Sequence, residues 1–143
     1  MSGMALVFCT ALLFVGCNRS KPESPIVVHV LRDANATPAA RINHALPAFN
    51  GTRFTRRGHP IMIATLESHD YRNTVRVFAD HCCELIVLDS PDDALLNPKL
   101  PAELGQSVNL CSDKQLCPAF IPSWIAGEQR EASQMFLDFL TSH

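Results

Sequence analysis

The residues of this chain that could do chemistry gather after three apolar runs. Asp33, Asn35 and Thr37 follow Ile26–Leu31. Thr65, Glu67, Ser68 and His69 close or follow Ile61–Leu66, and Asp89 and Ser90 end the run that begins at Glu84. Carboxylates, amides and hydroxyls at the ends of successive strands are the groups that orient a polar solute. His69-Asp70 with Ser90 has the residue types of a hydrolase triad, yet nothing in the spacing sets the three side chains together. His81-Cys82-Cys83 has metal-ligand types, but neighbouring side chains point apart on a helix and the Cys-x-x-Cys spacing is missing. Cys111 and Cys117 are likewise too far apart for a dithiol redox motif. No Gly-x-Ser-x-Gly elbow, P-loop, Gly-x-Gly-x-x-Gly or His-Glu-x-x-His occurs. The expectation is a binding protein rather than an enzyme, with no cofactor or metal.

The elements that must position these residues are legible. Ile61–Leu66 and Glu84–Asp89 flank a helical pattern in which Tyr71, Val75, Phe78 and Cys82 share a face, with Ser68 or Asp70 as its cap. Two near-continuous apolar runs around an amphipathic helix describe a βαβ unit with buried parallel strands. Upstream, Ile26–Leu31 reads as another strand. Thr37-Pro38 then starts a helix, threonine as N-cap and proline at the first helical position, and Ile42, Ala45, Leu46 and Phe49 form its stripe. Pro47 should kink or end it.

Right-handed crossovers would place all three strand carboxyl ends on one edge. Free N–H groups at the helix starts near Thr37 and Asp70 would suit an anion there. After Ser90 the prolines Pro91, Pro98 and Pro101 predict turns and short helical pieces, with Ser107–Cys111 and Pro118–Ile121 as short strands or extended loop. Trp124 offers either a stacking face for a ligand or an anchor for the last helix. Ala132, Met135, Phe136, Phe139 and Leu140 stripe that helix over Glu128–Thr141. The expected fold is α/β: a two- or three-layer sandwich with a mostly parallel β-α-β-α-β sheet and a carboxyl-terminal amphipathic helix.

Ala5–Val15 is apolar over roughly 11 residues, where a membrane-spanning helix needs about 20. It fits the hydrophobic core of a secretory signal, although Met1-Ser2-Gly3 carries no basic residue. Leu13-Phe14-Val15-Gly16-Cys17 resembles the lipobox of bacterial lipoproteins, which implies lipidation of Cys17 and a membrane-lipid anchor on the cell envelope. Asn18 after the cysteine leans toward the outer membrane. The chain then divides into residues 1–17 as signal peptide and lipobox, 18–25 as a polar, proline-containing tether, and 26–143 as one α/β domain.

With 12 Lys and Arg against 14 Asp and Glu, all after Cys17, the exported part is near neutral and no nucleic-acid partner is expected. The basic cluster Arg53-Phe54-Thr55-Arg56-Arg57-Gly58-His59 reads as a solvated loop. Export would put Cys82, Cys83, Cys111 and Cys117 in an oxidising compartment. Cys111 and Cys117 flank a short polar loop and are the first pair to consider, while four cysteines allow three pairings.

Cys117-Pro118-Ala119-Phe120-Ile121-Pro122-Ser123-Trp124-Ile125, Gly127-Glu128 and the amphipathic tail to Leu140 resemble the carboxyl end of extracytoplasmic solute-binding proteins of ABC transporters. The β-α-β-α-β start and Leu88-Asp89-Ser90-Pro91 are similar too. The resemblance implies a surface or periplasmic lipoprotein that binds a small solute and presents it to a membrane permease. Such proteins close two lobes on a ligand, and this chain has residues for about one, with only Pro91–Asn109 where a second would enter. A structural lipoprotein docking another envelope protein is the other expectation.

Overall fold

The computed structural model describes residues 23–66, 70–77 and 83–143. Its strands are β1 (Ile26–Leu31), β2 (Thr55–Arg56), β3 (His59–Leu66), β4 (Leu85–Val87), β5 (Val108–Asn109) and β6 (Pro118–Phe120). Its helices are α1 (Thr37–Thr52), α2 (Tyr71–Val77) and α3 (Gly127–Ser142), with 3₁₀ turns at Pro91–Leu96 and Pro101–Gln106.

All six strands join one sheet in the order β2-β3-β1-β4-β6-β5. β1 lies parallel to both β3 and β4, whereas β2, β6 and β5 each run antiparallel to their neighbours. The sheet is therefore mixed rather than mostly parallel. The cause is local: parallel pairing needs a long crossover, and only α1 and α2 provide one. β2 reaches β3 through the two-residue turn Arg57-Gly58, with φ of 49° and 85°. Positive φ at both central residues matches the strand twist of a tight hairpin. Gly58 is required by its backbone, since φ of 85° is a conformation that residues with a Cβ rarely adopt. The basic cluster is thus largely a hairpin, not a free loop.

The side-chain period of two on β1 divides the core. Ile26, Val28 and Val30 enter one cluster with Ile42, Ala45 and Phe49 of α1 and Ala132, Phe136 and Leu140 of α3. Leu31 enters the other, with Tyr71 and Val75 of α2 and Ile86, Leu88, Leu100 and Phe120. Phe49 is the hub of the first: its ring centroid lies 4.7 Å from Phe54, 5.0 Å from Phe136 and 5.4 Å from Phe139.

Two helix expectations need correction. The N-cap of α1 is Ala36, which brings no side-chain bond, so Thr37 is helical instead of capping. Pro47 does not end α1, which runs on to Thr52. Pro47 is exposed, so the carbonyl it strands can be met by water while Ala45 and Phe49 hold the inner face. Asp70 does cap α2, accepting the Asn73 N–H at 3.0 Å. α3 spans one residue more at each end than its stripe implied. Phe78 and Cys82 lie outside the described residues.

Candidate functional site at the carboxyl edge of the sheet

The chain leaves β1 toward β3 on one side and arrives at β4 on the other, with α1 and α2 packed on opposite faces. The strand order thus reverses between β1 and β4, and the crevice outside their carboxyl ends is where open α/β sheets hold ligands. Asp33 lies just beyond one strand end and Asp89 beyond the other.

Each neighbouring group has a definite partner. Asp33 Oδ1 accepts the Asn35 N–H at 3.0 Å, which folds the β1–α1 turn. Ser90 Oγ accepts the Asp92 N–H at 3.2 Å and caps the first 3₁₀ turn. That turn carries Asp93, buried, beneath α2. Tyr71 donates its phenol to Asp93 Oδ2 at 3.2 Å and accepts the Asp89 N–H at 3.2 Å. Arg72 Nη1 stands 3.7 Å from Asp93 Oδ1. Burial holds the Tyr71 hydroxyl protonated far above the usual phenol range. Burial first, then the charges of Asp93 and Asp33, push the Asp89 carboxyl above its ordinary value. The edge is therefore electronegative where the strand order reverses, although buried Arg32 follows β1 with its Nη2 on Asn43 Oδ1 at 2.8 Å.

The wall beyond β4 is built by the β5–β6 hairpin. Cys111 and Cys117 are bonded, with Cα atoms 5.4 Å apart. Asn109 Oδ1 accepts the N–H groups of Cys111 and Cys117, and its Nδ2 donates to the Ser112 carbonyl at 3.1 Å. One asparagine thus organises the whole loop. Pro118 accepts the Leu88 N–H at 2.8 Å, and Cys117 Sγ lies 3.6 Å from the Asp89 carbonyl oxygen. A cavity of about 260 Å³ borders this wall, lined by Pro91, Leu104, Ser107, Asn109, Leu116 and Pro118. A second, of about 330 Å³, lies between α1 and α3 beside Arg41, His44 and Phe139, away from the crevice.

The structure brings Asp33, Asp89 and Ser90 together, with Asn35 in the same turn. Thr65 pairs with Val30 on the β3 side of β1. Thr37 stands exposed at the start of α1. Trp124 is half-buried against the Leu31, Ile86 and Phe120 cluster instead of standing open at the edge. Glu67, Ser68, His69, His81 and Cys82 lie outside the described residues, as does Cys17. Cys83 is buried, in the cluster with Leu31 and Tyr71.

The sequence reading missed Tyr71, Asp93 and Asn109 as site-builders. Tyr71 looked like another apolar-face residue, and Asp92-Asp93 like turn formers. The signal lay in Ser90-Pro91-Asp92-Asp93, a cap and first turn whose second aspartate must face inward. The deeply buried Glu103, accepting Ser123 N–H and Oγ at 3.1 and 2.6 Å, was equally unforeseen.

Among the described residues no group of three or more His, Cys, Asp or Glu is arranged to hold a metal ion, and no helix is long and apolar enough to cross a membrane. The arrangement can attract and hydrogen-bond a polar or cationic group beside an apolar hollow. Comparison with protein-family models, with curated proteins and with solved structures finds no match for this chain.

Proposed function

We propose that this chain is a lipid-anchored protein of the bacterial cell envelope that serves as the solute-binding component, or a reduced relative, of an ABC transporter. Cys17 carries the lipid, residues 18–25 are the tether, and the solute sits at the carboxyl edge between Asp33 and Asp89. The observation that carries this reading is the half-buried Asp89 carboxyl at the strand-order reversal, flanked by Asp33 and Asp93. Such a site suits a small solute with an ammonium or guanidinium group, its apolar part directed to the neighbouring hollow. β5 and β6 are joined by a hairpin pinned with a disulfide across six positions. That fits a single lobe, with a permease or another envelope protein completing the cleft.

A cationic solute should raise the melting temperature in a library screen, since a ligand that binds only the folded state stabilises it. Asp89→Asn should remove that rise. Leu116, which lines the hollow at 53% exposure, and Leu95, 75% exposed on the first 3₁₀ turn, favour a second reading in which the edge docks a partner protein. No shift with any solute, together with co-purification of an envelope partner, would replace the first reading by the second. Unchanged membrane retention of Cys17→Ser would refute the anchor.

A further inference from the structure

The two edges of the sheet differ in charge, and the tether enters at only one of them. Glu23 and Ser24, which with Pro25 lead into β1, are held against the β2–β3 hairpin. His59 Nε2 lies 3.2 Å from Glu23 Oε2, and His59 Nδ1 lies 3.0 Å from the Ser24 carbonyl oxygen. This is the amino edge, because β1 and β3 are parallel and both begin there.

Three guanidinium groups stand on the same edge. Arg56 is committed to Glu131, Nε to Oε2, at 2.6 Å. Arg57 reaches the other oxygen of Glu131 only at 3.6 Å and remains 65% exposed. Arg53, in the left-handed conformation that ends α1, is exposed with no carboxylate within ion-pair distance among the described residues. The acidic groups facing them are Glu23, Glu128 and Glu131, while the tether sequence adds Arg19 and Lys21. At the carboxyl edge Asp33, Asp89, Asp92 and Asp93 outweigh Arg72 and the buried Arg32.

We infer that the amino edge is a membrane-facing surface: Arg53 and Arg57 pair with anionic lipid headgroups and turn the Asp33–Asp89 crevice away from the bilayer. The inference rests on lipidation of Cys17. The six residues from Cys17 to Glu23 reach at most roughly 20 Å, so the hairpin cannot leave the headgroup neighbourhood of its own anchor. The eight-residue strand β3 carries the crevice about 26 Å further out along its axis. The acyl chains on Cys17 hold the protein at the bilayer, and the basic groups beside them add surface attraction that sets which way the domain faces. The acidic edge, repelled by the same surface, favours the same orientation.

The test is arginine modification of the full chain, expressed with its lipid, in vesicles of phosphatidylcholine with and without phosphatidylglycerol. Phenylglyoxal adducts would be read peptide by peptide, with exposed Arg72 as the internal control. Phosphatidylglycerol should slow modification of Arg53 and Arg57 several-fold and leave Arg72 unchanged, with the protection lost in 0.5 M salt on the order expected for a surface charge effect. Equal rates at the three arginines, protection of Arg72 instead, or equal protection on pure phosphatidylcholine would overturn the orientation. The acyl mass on the Cys17 peptide separates the two claims. Present with Arg53 and Arg57 unprotected, it leaves the anchor standing and removes the orientation; absent, it removes both. The double variant Arg53→Gln/Arg57→Gln, with a wild-type melting temperature, should lose the phosphatidylglycerol dependence.

Discussion

Tyr71 spans the carboxyl edge to Asp93: its hydroxyl, 3.2 Å from Asp93 Oδ2, also receives the backbone N–H of Asp89. One phenol therefore ties α2 to the first 3₁₀ turn and to the exit of β4, and the position of Asp89 depends on it.

Tyr71→Phe keeps the ring in the second core cluster but leaves a buried carboxylate oxygen and a backbone N–H without their partner. Unsatisfied groups of this kind cost about 1–3 kcal/mol. Urea unfolding should show a lower midpoint with an unchanged slope, and cation-dependent thermal shifts should weaken because the Asp89 turn loosens. An unchanged midpoint would mean that the phenol contributes no net stability.

Asp89 supplies a pH signature. Its carboxyl is raised in the folded protein by burial and by Asp93 and Asp33. The folded state then holds a proton that the unfolded chain has already released, so stability falls as pH rises from the ordinary carboxyl value through the raised one. Asp89→Asn removes this loss. The variant should gain relative to the parent at pH 7 and match it at pH 3, measured by denaturant midpoints across that range. A gain that is the same at both pH values would contradict the charge origin.

The Cys111–Cys117 bond closes a short loop, for which chain entropy gives about 2 kcal/mol. Cys111→Ser/Cys117→Ser should lower the melting temperature by several degrees, and dithiothreitol should lower that of the parent but not of the variant. Because Asn109 holds both cysteine N–H groups, Asn109→Ala should loosen the same hairpin with the disulfide intact. Amide exchange at residues 111–117 would report it.

Glu131 works in the opposite direction from Asp89. Its hydrogen bond from Arg56 is the main cause that holds its carboxyl below the ordinary range. The stability this bond brings is present above the ordinary carboxyl value and is lost as pH falls through the depressed one. Glu131→Gln should therefore flatten the acid limb of the stability profile while leaving the helix content seen by circular dichroism unchanged. An unchanged acid limb would show that Arg56 and Glu131 are no better paired in the folded chain than apart.

The sequence by itself determined much of the scaffold. Ile26–Leu31 is β1, residue for residue, because a run of five aliphatic residues and one histidine in a central strand, with Ile26, Val28, Val30 and Leu31 buried, leaves little alternative. The tail stripe likewise marked α3, Asp70 was one of two candidate caps for α2, and the short loop between Cys111 and Cys117 suited their bond. What the tertiary structure alone decided is which residues meet. The antiparallel pairing of β6 with β4 joins residues more than 30 positions apart, and strands of two or three residues such as β2, β5 and β6 carry too little period to declare themselves. Tyr71, Asp93 and Asn109 became site-builders only when α2, the 3₁₀ turn and the hairpin converged on one edge. A hydrogen-bond partner 22 positions away leaves no local trace. Periodicity records which face of an element is buried; the sheet's strand order decides which buried faces, and which edges, stand next to each other.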